Sequence, residues 1–162
     1  MIWVLIVSEL LVFGAGLWAF AALRITDPEG FARAAGHLHP IRAGVGTMLL
    51  VSSGALAAIG ASRLHRGYLL AAAGLGAMFL ALKAQEWRGL AQDHLSTESH
   101  PFFTFYYLLT GFHAAHVVAG IGILALVAAR RRRAEIEAGV AFWHMVDLVW
   151  VMLFAVLYLV PA

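Results

Sequence analysis

Apolar residues gather into five long blocks along this chain, with polar and basic stretches between them. The blocks lie at about residues 2–23, 44–61, 67–85, 103–129 and 140–159. At 1.5 Å of rise per residue, a helix made from each is long enough to cross the ~30 Å hydrocarbon layer of a membrane. Two connections are long, Arg24 to Arg42 with Pro28 and Pro40, and Glu86 to Pro101; the other two are short, "SRLHR" and "RRRRAEIEAG". Short connections predict that the second and third spans, and the fourth and fifth, are antiparallel neighbours. The pattern predicts an all-α fold, a bundle of five transmembrane helices forming a single domain over 1–162.

Composition sharpens this reading. Of 162 residues 62% are hydrophobic and 12% charged, whereas a soluble domain carries about 25% charged residues. The chain cannot cover itself with polar surface, so it is an integral membrane protein. The first block starts at Met1 without a basic preface, runs past the length of a signal core and contains Glu9, so it reads as a retained span. There is no cysteine, which removes disulfides, thiolate metal sites, covalent haem attachment and iron–sulfur clusters from this chain.

Six of the basic residues fall on one side of the membrane (Arg63, Arg66 and Arg130 to Arg133) and five on the other (Arg24, Arg33, Arg42, Lys83 and Arg88). The "RRRR" run abuts a span, so density places that side in the cytoplasm, with the N-terminus inside and the C-terminus outside. A formal charge of +2 carried by arginines at span ends suits topology and not nucleic-acid binding.

Small residues mark expected close approaches. Gly46, Ser53, Gly54, Ala57 and Ala61 lie on the second span, and Gly111, Ala115 and Ala119 recur every four residues on the fourth. Such stripes let helix backbones meet where lipid offers no hydrophobic drive. The fourth span is therefore expected to pack through Gly111, Ala115 and Ala119, with His113 and His116 on another face.

Ionisable groups inside a membrane are rare and face partners or water. Here they are Glu9, His113, His116, His144 and Asp147. Lys83 and Glu86 are expected at the outer end of the third span, within snorkelling reach of water. Glu9, His144 and Asp147 share a depth that permits one inner cluster if the first and fifth spans are neighbours. Three roles compete: a haem or metal site in a self-standing redox protein, a proton path, and helix-to-helix hydrogen bonds. The aromatic residues of the fourth and fifth spans read as an interfacial belt with some core packing.

Five segments, "VSELLVFGAGLWAF", "TMLLVSSGALAA", "LKAQEW", "TGFHAAHVVAG" and "FWHMVDLVW", resemble, in order, the signature segments of cytochrome c oxidase subunit III. The resemblance covers nearly the whole chain. It is to a short, five-span form, similar to the NorE-type proteins associated with nitric oxide reductase; seven-span relatives carry two further helices that form a phospholipid-holding cleft. The resemblance implies an accessory subunit, not catalytic alone, of a haem-copper oxidase or nitric oxide reductase in a bacterial inner membrane. Haem and metal would belong to the partner catalytic subunit, and membrane lipids, including bound phospholipid, would contact this chain. It further implies that His113, His116 and His144 hold helices together, while Glu9 and Asp147 support proton uptake or the stability of the catalytic subunit.

Overall fold

The computed structural model describes residues 1–159. The chain forms α1 (Ile2–Thr26), α2 (Pro28–Ala35), α3 (Pro40–Arg63), α4 (Arg66–Gln92), α5 (Pro101–Arg130) and α6 (Arg133–Phe154), and α6 continues into a π-helical turn, Ala155–Leu159. All regular structure among the described residues is helical, and five helices are long and apolar enough to cross a membrane.

Local chemistry sets the boundaries. Pro28, Pro40 and Pro101 open α2, α3 and α5, where the missing N–H is no loss and φ is already helical. Asp27 accepts from Gly30 N–H at 3.0 Å and His100 from Phe102 N–H at 3.1 Å, so these side chains cap α2 and α5. These start signals lengthen the second and fourth spans beyond their apolar blocks. Helix α4 runs on to Gln92, seven residues past the apolar block, because good helix formers such as Glu86, Arg88, Leu90 and Ala91 outweigh the cost of Gly89. The short helix α2 was not among the expected elements; Phe31 and Ala34 turn inward from it, and Phe31 meets Phe20 and Phe102 edge-to-face.

Helix α6 occupies the centre, packing on α1, α3 and α5. The expected neighbours α3 with α4 and α5 with α6 lie along one another. Trp143 is the wedge of this arrangement. It is fully buried, and side chains at Gly76 on α4 or Gly120 on α5 would collide with its ring. Its indole N–H donates to Ser53 Oγ on α3 at 2.9 Å, and Ser53 donates to the Ala72 carbonyl on α4 at 2.7 Å. One tryptophan therefore ties four helices. Trp150 repeats the theme one turn pair later, donating to Thr47 Oγ1 at 2.9 Å. These tryptophans are core, not belt, since each buries its ring and satisfies its N–H on another helix.

The small residues divide unequally. Gly46, Ser53, Gly54 and Ala57 are buried, as the stripe on the second span predicts. Ala115 and Ala119 are exposed, and Gly111 has open space around its Cβ direction. The expectation that Gly111, Ala115 and Ala119 form the packing face is thus corrected. The inward face of α5 carries Tyr106, Thr110, His113, Val117 and Leu124, whose side chains fill the bundle, and Gly120, which leaves room for Trp143. Helix α1 is held on one face only, by α5 and α6, with Trp3, Val7, Leu11 and Trp18 exposed on the other.

Candidate functional site

The intramembrane polar groups resolve into four sets. Glu9 on α1 meets His116 on α5, Oε2 to Nε2 at 3.0 Å. His116 Nδ1–H donates to the Phe112 carbonyl at 2.7 Å, which fixes how the rest of the ring is used. A carboxylate oxygen and a bare imidazole nitrogen are both acceptors. One proton must therefore lie between Glu9 and His116, on either partner. The pair is sealed laterally by Phe13, Phe112 and Phe142 around the imidazole.

His113 is spent on structure. It is 1% exposed, its Nε2–H donates to the Val146 carbonyl at 3.0 Å, and Trp150 and Phe79 flank its ring at 5.2 and 5.7 Å. The bond pins α5 to α6.

His144 and Asp147 lie one turn apart on α6, Nδ1 to Oδ2 at 4.0 Å, too long for a hydrogen bond. The glycine at 54 on α3 leaves the room in which the Asp147 carboxyl and the His144 ring edge sit. Asp147 Oδ1 is buried without a hydrogen-bond partner, while the His144 side chain is 46% exposed on the outside of the bundle. The expected cluster of Glu9, His144 and Asp147 is therefore divided: Glu9 takes His116, because α1 leans on α5 as well as α6, and Asp147 turns toward α3.

The fourth set lay half-hidden in the sequence. Lys83 and Glu86 were expected to reach water, but their side chains are 4% and 6% exposed, and Lys83 Nζ donates to Glu86 Oε2 at 2.6 Å. The extension of α4 to Gln92 places both well inside the helix, so snorkelling is replaced by pairing. Lys83 also donates to Tyr158 Oη at 2.6 Å, and Tyr158 O–H donates to Glu86 Oε2 at 2.8 Å. Tyr106 Oη lies 3.3 Å from Tyr158 Oη. The rings of Trp150, Tyr158 and Tyr106 surround the ammonium at 4.5, 5.1 and 5.6 Å, all within cation–π range. No spacing or motif marks Tyr158 as a partner, 75 residues from Lys83.

At the end of the bundle that carries α2, Asp27 meets His100 at 3.1 Å. The His100 bond first, and the Gly30 N–H second, hold the Asp27 carboxyl below its ordinary 3.8. Among the described residues, no three of His, Asp and Glu converge on a point that would hold a metal. The self-standing redox alternative needs His113, His116, His144 and Asp147 around one centre, whereas His113 bonds to Val146, His116 to Glu9, and Asp147 with His144 lies against Gly54.

The arrangement is that of a polytopic helical membrane protein in which Glu9, His116 and His113 bond across helices while His144 and Asp147 stay without a hydrogen bond among the described residues. The profile of the cytochrome c oxidase subunit III family matches residues 1–161. The chain is 30% identical, across 97% of its own length and 85% of the relative's, to cytochrome c oxidase subunit 3 of Corynebacterium diphtheriae. A similar likeness, 30% over 96% of this chain and 84% of the relative, holds for cytochrome c oxidase subunit 3 of Thermostichus vulcanus. A third relative, heme-copper oxidase subunit I+III of Aeropyrum pernix, is 30% identical over 98% of this chain, which spans 22% of that longer protein. The chain belongs to the cytochrome c oxidase subunit III family and is an accessory, non-catalytic subunit of a haem-copper oxidase.

Proposed function

We propose that this subunit docks on the catalytic subunit through the α6 face that carries His144, and that the Glu9–His116 pair loads and releases a proton beside it. The docking is carried by one observation: a half-exposed imidazole next to a buried, unpartnered carboxylate oxygen on a membrane-spanning helix. Hydrocarbon supplies no hydrogen bond to either group, and an unmet polar group there costs several kcal/mol, of order ~2–7. A polar side chain of a partner helix meets the exposed His144 imidazole, whose ring stands beside the Asp147 carboxyl. The relative named heme-copper oxidase subunit I+III supports subunit I as that partner, and the names of the relatives favour an oxidase over a nitric oxide reductase as the assembly.

The proton role rests on the shared proton of Glu9 and His116. Their side chains keep 26% and 15% exposure, so the pair lies near the surface of the bundle where α1 meets α5, within reach of a partner subunit. The membrane is the bacterial inner membrane, with Arg63, Arg66 and the Arg130 to Arg133 run on the cytoplasmic side. Haem and metal reside in the catalytic subunit, and phospholipid covers the outward faces of α1 and α5.

The test is purification through a tag on this chain after gentle solubilisation. The native chain brings down a larger, haem-bearing subunit, and His144→Leu loses most of that haem while the chain itself stays folded. Undiminished haem with H144L removes this docking face. Haem retained by the isolated 17.5 kDa chain would replace the accessory reading with the redox one.

A further inference from the structure

We infer that Glu86 is a proton-exchange site served by an internal water inlet from the end of the bundle that carries α2. Two cavities meet at this residue. One, of about 40 Å³, is lined by His37, His39, Arg42, Gln85, Glu86 and Asp93, with Gly89 and Leu90 completing its wall. The other, of about 10 Å³, lies on the inner side, between Arg42, Lys83, Glu86, Phe79 and Trp150. Arg42 and Glu86 border both and stand between the two.

The outer cavity is polar on most sides and leads to water, because His37, His39, Arg42 and Asp93 are all exposed. A water needs about 10–15 Å³ and two to four polar partners. The outer cavity holds about three waters by that measure and the inner about one. The inlet ends on a carboxylate with a free acceptor position. Glu86 Oε2 takes bonds from Lys83 at 2.6 Å and Tyr158 at 2.8 Å, whereas Oε1 has only the weaker arm of the Tyr158 hydroxyl at 3.0 Å.

Protonation of Glu86 would normally strand the buried Lys83. Here it does not. The ammonium keeps its bond to Tyr158 and its three aromatic rings, so the cation is held in both states of the carboxyl. The groups facing Glu86 are Lys83 from α4 itself, Tyr158 from the π-helical turn, Tyr106 from α5 and Arg42 from α3. His37 and His39 face it across the inlet from the α2–α3 connection, and Asp93 from the end of α4. A proton enters from the aqueous phase through the inlet waters, rests on Glu86 Oε1 and returns the same way. Nothing is oxidised or reduced. A π-helical turn is rare and concentrates at functional sites, and this one carries Tyr158 to the carboxylate.

The test is infrared difference spectroscopy on the full chain in lipid nanodiscs, perfused between neutral and acid buffer and between H2O and D2O. A protonated-carboxyl band appears reversibly within the mixing time, is absent in Glu86→Gln and shifts in Tyr158→Phe. Gly74→Ala, on α4 but outside the inlet, leaves its rate unchanged, since the Cβ direction of Gly74 is open. Gly89→Leu fills the inlet and slows the band by about tenfold or more, exchange then requiring local opening of the helix. His39→Trp, from the opposite wall, slows it as well and serves if G89L does not fold. No Glu86-dependent band, or native rates in the variants that fill the inlet, overturns the proposal.

Discussion

Among the described residues, two intramembrane acid–base pairs are in hydrogen-bond contact, and they are built on opposite plans. Lys83–Glu86 is closed: its side chains are 4% and 6% exposed, and a tyrosine and three aromatic rings surround it. Glu9–His116 is open: the side chains are 26% and 15% exposed and join two helices through one shared proton. The first pair sits within one helix and gains its strength from neighbours that satisfy every remaining donor. The second sits between α1, the most weakly held helix, and α5. Burial behind aromatic rings makes the first pair costly to break and leaves the inlet at Glu86 to carry its proton; the second pair lies on the flank of the bundle, held by a single bond. The same two chemical partners, an acid and a base, are thereby suited to different tasks.

The largest effect should come from breaking the closed pair on one side. Lys83→Met leaves the Glu86 charge uncompensated and should destabilise the chain by about 3–5 kcal/mol, read as a lower thermal midpoint in detergent. The double variant Lys83→Met, Glu86→Met should recover much of that loss; equal damage in both would mean the pair itself is not what holds this region.

Next is the wedge that fixes the closed region to the rest. Gly120→Val drives a side chain into Trp143 and should cost about 1–3 kcal/mol from overpacking. Trp143→Phe relieves the clash in the double variant, and a failure of that rescue would place the strain elsewhere.

His113→Leu removes the α5-to-α6 bond to Val146. Interhelical bonds in membranes average about 0.6 kcal/mol, so stability should fall slightly while the yield of assembled complex falls more. Normal yield would make this bond dispensable for assembly.

Glu9→Gln should barely move stability, since the amide N–H can donate to His116 Nε2. In the assembled oxidase it should change turnover or its pH dependence. An unaltered profile across pH would take the proton role away from the open pair.

The smallest effect is at the surface. The Asp27 carboxyl is held below its ordinary 3.8 by His100, so its contribution is complete above that value and disappears as pH falls through the lower, folded one. Asp27→Asn should abolish that acid-side step in the amide exchange of Gly30 and leave the open and closed pairs untouched.

The sequence by itself determined the spans, because about 20 consecutive apolar residues have only one use in a helical protein. It also determined the neighbours joined by short connections, and the membership carried by the ordered segments from "VSELL" to "FWHMVD". Its proline and cap signals at Asp27–Pro28 and His100–Pro101 were present but were outweighed by the apolar blocks, which ended too early. What only the tertiary structure decided was partnership. Hydropathy has no term for azimuth, so it could not tell that His113 faces Val146 while Ala115 and Ala119 face outward. Nor could it foresee Glu9 with His116 or Tyr158 with Glu86, because those contacts join helices 107 and 72 residues apart. In a membrane every long helix satisfies its own backbone. The side chains alone are left to choose neighbours, and that choice is made by three-dimensional packing, where a tryptophan between two glycines sets the angle of everything around it.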